Sequence, residues 1–119
     1  MRKITYALIG LASVFCATPS FADDRDFELI NATGYPIREI YIDEARSKNW
    51  SENELDSVLK NGEAMHFKFG KSDRGCKWDM KVVWTDDTSS VWSNLDLCKI
   101  EVIKLKYNRK TDEATAEVK

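Results

Sequence analysis

Alternation of apolar and polar positions organises most of the chain after residue 26. "FELIN", Phe27 to Asn31, is a short β-type run. "IREIYI", Ile37 to Ile42, is rich in the β-branched and aromatic residues that pack well on a pleated surface. "ATGY" separates them, with Gly34 able to take positive φ, so the two runs are expected to pair as a hairpin. In "EAMHFKF", Glu63 to Phe69, Met65, Phe67 and Phe69 share one face, and Ala64, His66 and Lys68 share the other. "RGCKWDMKVVW", Arg74 to Trp84, alternates in the same way. Cys76, Trp78, Met80, Val82 and Trp84 lie on one side, and Lys77, Asp79, Lys81 and Val83 on the other. "TDDTS" reads as a hairpin turn into "SVWSNLDLC", the partner strand ending at Cys98. "KIEVIKLKY", Lys99 to Tyr107, is a further strand; "NRKTDE" turns the chain and "ATAEV" closes it as an edge strand.

One segment breaks the period-2 pattern. Ser51-Glu52-Asn53-Glu54 fits a capping box, with Ser51 as N-cap and Glu54 three residues into the turn. Trp50 and Leu55 occupy the positions of a hydrophobic staple, Leu55, Val58 and Leu59 follow helical spacing, and Gly62 supplies a stop. The spacing predicts a short helix over 52–59, tethered in a long loop from Asp43 to Asn61. About seven strands with frequent turns and one helical insert predict an all-β antiparallel sandwich.

The N-terminus sets the compartment. Arg2 and Lys3 precede an uncharged, mostly apolar run from Ile4 to Ala17, and Ser20-Phe21-Ala22 is a small-x-small cleavage signal. This predicts a signal peptide over 1–22, cleaved after Ala22, and a periplasmic or secreted protein. The run is too short for an ordinary membrane span. Phe15 is too large for the residue before a lipidated cysteine, so Cys16 reads as one more apolar residue of the signal. The expected mature chain, Asp23 to Lys119, is a single domain. Its formal charge falls from −2 to −4 on loss of Arg2 and Lys3, and no basic block occurs, which argues against a nucleic-acid partner. Only Cys76 and Cys98 then remain. Two cysteines in an exported protein are most simply one disulfide, closing a loop worth ~3 kcal/mol on the chain-entropy model.

Candidate chemistry is sparse. One histidine and two cysteines fall short of a zinc site, and no Cys-x-x-Cys redox motif is present. His66 is expected to face away from Met65, Phe67 and Phe69, and general-base work needs a positioned partner that sequence alone does not reveal. Neither a Gly-x-Ser-x-Gly elbow nor a phosphate-binding glycine loop occurs. Asp86-Asp87 and Asp43-Glu44 lack the alternating acids and central glycine of a calcium loop and read as polar turns. Asp79 is the most interesting acid, yet Lys77 and Lys81 flank it on the same face, as in a solvated charge ladder. Asn31-Ala32-Thr33 matches a glycosylation sequon; the reading preferred for an exported bacterial-type protein is that both side chains serve turn backbone groups. Trp78 and Trp84 read as core, Trp50 as a staple, and Trp92 as an exposed aromatic, out of phase with Val91 and Ser93.

Several stretches together carry a resemblance: "NATGYPI" at 31–37, Trp50 followed by Leu55, "NGE" at 61–63, "CKWDMKVVW" at 76–84 and "LDLC" at 95–98. The chain resembles a family of small exported bacterial single-disulfide β-sandwich proteins of uncharacterised function. It departs from the family pattern at "DEA", 43–45, where relatives carry Ser-Pro, and at Ser51, where a glycine follows the tryptophan. The resemblance implies a fold and a disulfide and no mechanism.

The expectation is therefore a monomeric, non-catalytic binding or interaction module for a protein or small-molecule ligand, with no metal or other cofactor. Trp50, Trp92, Asp79, Lys77 and Lys81 are its candidate surface. One alternative is an envelope accessory protein that pairs a strand edge with a partner; another is a small carboxylate-dependent hydrolase.

Overall fold

The computed structural model describes residues 26–47, 49–69 and 75–119. The expected signal peptide, 1–22, lies outside them, as does residues 70–74 of the polar loop before Cys76. Among the described residues the chain is all-β, with seven strands in two sheets. They are β1 (Phe27–Asn31), β2 (Ile37–Glu44), β3 (Ala64–Phe67), β4 (Lys77–Trp84), β5 (Ser89–Asp96), β6 (Val102–Asn108) and β7 (Glu113–Val118). One sheet has the order β3-β1-β6-β7 and the other β2-β4-β5.

The two sheets share one core. Phe27, Leu29, Phe67, Ile103 and Leu105 come from the first, and Ile40, Ile42, Trp78, Met80 and Val82 from the second. Each is the inward half of an alternating strand, so period-2 patterning converts directly into burial. Cys76 and Cys98 form the expected disulfide, with Cα atoms 5.2 Å apart. It ties the entry of β4 to the exit of β5.

Four expectations are corrected. The first two runs are not a hairpin: β1 pairs with β3 on one side and β6 on the other, and β2 crosses to the second sheet. Both edges of β1 are therefore occupied. Ala32 N–H donates to the Leu105 carbonyl at 2.9 Å, holding the chain on β6 until the turn at Gly34, φ +89°, redirects it. Asn31 is the internal brace of that turn. It is fully buried, donates through Nδ2 to the carbonyls of Tyr35 (2.8 Å) and Leu59 (2.9 Å), and accepts from Thr33 N–H and Oγ1 through Oδ1. The sequon asparagine is thus a structural side chain. The sheets are also not wholly antiparallel, because β1 and β6 run parallel.

The helix over 52–59 is replaced by an extended segment along the outer edge of β2. Glu54 N–H donates to the Ile40 carbonyl (2.8 Å), and Leu59 and Ile37 exchange two backbone bonds of 2.9 Å. Asn53 Oδ1 accepts from Ile40 N–H (2.9 Å) and Leu55 N–H (3.0 Å). Eight helical residues alone are marginal. Pairing the segment with β2 supplies partners to an otherwise open edge at about 1 kcal/mol per net bond, and buries Leu59 for a further 1.5–3 kcal/mol or so. Edge pairing therefore outweighs the capping-box preference. Trp50, freed from its staple, packs obliquely on Tyr41, with ring centroids 6.4 Å apart.

Trp92 is the remaining correction. The β4–β5 register slips between Trp78↔Leu95 and Met80↔Trp92, so two residues, Ser93 and Asn94, oppose Asp79 alone. This bulge turns both Trp92 and Leu95 toward the core, while Val91 stays outside, 53% exposed.

Candidate functional site

A groove opens where the end of β2 meets the end of β3. Its free volume is about 450 Å³. Phe67, Phe69 and Trp78 form an aromatic floor. Phe69 meets Trp78 edge-on at 4.9 Å, and Phe67 stacks on Phe27 at 4.8 Å. Backbone and polar bonds fix this floor. Asp26, itself buried, accepts Phe69 N–H at 2.8 Å, and the Trp78 indole donates to the Gly75 carbonyl at 3.1 Å. Gly75 precedes Cys76, so the disulfide anchors the floor from behind.

The walls are polar. Asp43 and Glu44 leave the end of β2, and Glu54 comes from the segment that covers its edge. Asp43 is held by Ser51 N–H, which donates to Oδ2 at 2.8 Å. Lys68 follows the end of β3, an edge strand of the other sheet. Ser47 also lines the groove, but its hydroxyl closes a local turn: Oγ donates to the Asn49 carbonyl and accepts Asn49 N–H. Among the described residues, the groove is an apolar base bordered by the carboxylates of Asp43, Glu44 and Glu54 and the ammonium of Lys68.

The sequence-predicted surface residues do not gather in this groove. Four of them lie on or beside the outer face of the β2-β4-β5 sheet. Lys81 sits over the Tyr41 ring at 5.7 Å, and Trp50 leans on that same ring. Lys77 pairs with Asp96 at 3.6 Å. Asp79 is not a rung of a lysine ladder. Its Oδ1 accepts Asn94 N–H (2.8 Å) and its Oδ2 accepts Arg46 N–H (3.4 Å), the latter a long bond. Both donors sit at positive φ, +59° and +73°. Asp79 thus clamps the bulge on one neighbouring strand and the turn after the other. Trp92, the fifth residue, is on the inner face.

Other chemical groups have structural partners. Half-exposed His66 faces Glu28, its cross-strand neighbour, at 3.7 Å, outside the groove. Cys76, Asp96 and Cys98 cluster within 4.8 Å, but both sulfurs are committed to the disulfide, and Asp96 accepts Cys98 N–H. Hydrogen bonding from Thr88, through its hydroxyl first and its N–H second, holds the Asp86 carboxyl below its ordinary range. The hydrogen bond from Tyr41 to Glu39, 2.6 Å, raises the Tyr41 phenol.

Asp43, Glu44, Ser47, Ser51 and Glu54, all from the segment expected as a long loop, border the groove. Phe67, Lys68 and Phe69 were missed as lining residues. Their alternation was legible; that β3 would end beside the end of β2 is a property of the sheet order.

No known protein family matches the chain, and no curated protein does. A solved structure is similar, the NMR structure of a protein from Eubacterium rectale, with a TM-score of 0.54 at 15% identity. The likeness covers 78% of this chain and 85% of that one. It concerns the fold.

Proposed function

We propose that the protein is an exported, monomeric, non-catalytic binding module and that the groove between the ends of β2 and β3 is its ligand site. One observation carries this reading: a concavity of about 450 Å³, within the size range of ligand sites, with a rigid aromatic base and convergent charged groups. The disulfide supports export, since such bonds persist in oxidising compartments. The two-sheet fold with its single bridge also supports membership of the family of small exported single-disulfide β-sandwich proteins.

Strand addition is the second reading. β5 ends its sheet, and Val91 stands exposed on it. By contrast, the edge of β2 is covered by the protein's own 51–60 segment.

Amide chemical-shift mapping of the oxidised protein against mixed small molecules and short peptides separates the readings. Shifts gathered at Ser47, Ser51 and Phe69 are expected for the groove. Shifts confined to Val91 and Ser93 would replace it with edge pairing. Turnover of a glycoside or ester that Asp43→Asn abolishes would favour the hydrolase instead.

A further inference from the structure

The sheet edges are guarded unequally. The outer edge of β2 is paired with the protein's own 51–60 segment, β7 carries Glu113 and Glu117, and β3 is only four residues long. β5 carries no charged residue and no proline from Ser89 to Leu95. The acids that flank this run are already paired, Asp87 with Arg38 and Asp96 with Lys77. Charge and proline are the usual means of keeping other chains off an open edge. Resting on the strand-addition reading and independent of the groove, we infer that the outer edge of β5 receives an uncharged, extended segment of a partner protein, with a β-branched side chain opposite Val91.

Hydrogen-bond alternation locates the contact. Trp84 N–H donates to the Thr88 carbonyl, so Trp84 and Thr88 are a hydrogen-bonded pair. Alternation then makes Val82↔Ser90 and Met80↔Trp92 hydrogen-bonded pairs, and Lys81↔Val91 and Val83↔Ser89 non-hydrogen-bonded ones. The N–H and C=O groups of Ser89 and Val91 therefore point away from β4, and among the described residues no strand meets them. Beyond Trp92 the bulge opposite Asp79 bends the edge, so the pairing stretch is Ser89 to Trp92. An added strand would use those four backbone groups and lay a side chain against Val91, 53% exposed on the outer face. A second copy of this chain meets these demands less well. In two-fold antiparallel pairing centred on Ser90, Ser89 and Val91 are both bonded, but Val91 faces the other copy's Ser89. Centred on Val91, the valines meet, but Ser89 falls opposite the other copy's bulged Ser93. An unbulged strand with valine or isoleucine at that position satisfies both.

Three blocked pentapeptide amides test this by amide shift titration of the oxidised protein: Thr-Val-Thr-Val-Thr, Thr-Glu-Thr-Glu-Thr and Thr-Lys-Thr-Lys-Thr. The valine peptide is expected to shift the Ser89 and Val91 amides and to bind at least about tenfold more tightly than either charged peptide. N-methylation of both its valines should abolish binding, and N-methylation of its central threonine should not, because the valine N–H groups are the ones that face β5. Val91→Lys should lose the valine peptide while keeping a dispersed spectrum, and Val91→Thr should retain it. Equal or tighter binding at β5 by a charged peptide would overturn the uncharged class and leave edge pairing standing. Equal loss from the two methylation patterns would overturn backbone pairing, and with it the strand-addition reading. Concentration-dependent shifts of Ser89 and Val91 in the protein alone would put a second copy on the edge and overturn the partner assignment. Absence of shifts at β5 with all three peptides would overturn the inference, and the broader peptide screen judges strand addition separately.

Discussion

Two polar side chains hold more of this structure than their exposure suggests. Asn31 uses both ends of its carboxamide, bridging Tyr35 and Leu59 on one side and Thr33 on the other. Replacement by alanine strands several buried polar groups at once. Asn31→Ala should cost about 2–4 kcal/mol in urea unfolding, and would loosen the 51–60 segment at Leu59. Asp79 acts differently, through two backbone N–H groups of residues in the left-handed region. Asp79→Ala should cost about 1–2 kcal/mol, and Asp79→Asn less because an acceptor remains. Indifference of stability to Asp79→Ala would return the residue to the status of a solvated charge. Its role was hidden because neither Arg46 nor the bulge at Asn94 is visible in the alternation of its own strand.

At the level of elements, strand faces were legible and strand neighbours were not. Period-2 alternation identifies Trp78, Met80 and Val82 as inward whichever strand lies beside them. It carries no information on whether the run at 37–42 pairs with the run before it. The 51–60 segment shows the same limit. Its capping signals were genuine local preferences, and the unpaired edge of β2 outcompeted them. Asn53 is the residue that joins the two, so Asn53→Ala should cost about 1 kcal/mol and speed hydrogen exchange at the Ile40 amide. The β4–β5 turn is built on Asp87 at φ +72° and on the bonds from Thr88 to Asp86. Because the Asp86 carboxyl is lowered in the folded state, its contribution is full above the ordinary aspartate value of about 4. It is lost as pH falls through the lower folded value. Thr88→Val should move the Asp86 titration upward in an NMR pH series. Its destabilisation should be largest above that range and should shrink in acid.

Across the whole molecule, the disulfide connects stability to the groove. Replacing Cys76 and Cys98 together by serine should cost ~3 kcal/mol. It should also broaden the Trp78 indole resonance, since that indole is bonded to Gly75 beside the bridge. The bridge itself was readable from the cysteine count once Cys16 was assigned to the expected signal peptide. The groove was not, because its floor and its acidic wall come from runs far apart in the chain that only the sheet order brings together. The parallel pairing of β1 with β6 has a kinetic consequence of the same origin. β1, the first strand among the described residues, must wait for its parallel partner β6, which begins at Val102. Contacts of such high sequence separation form late and slowly. The sheet that holds β1 therefore cannot be completed until β6 has been made, whereas every strand of the β2-β4-β5 sheet is already available to pair by then.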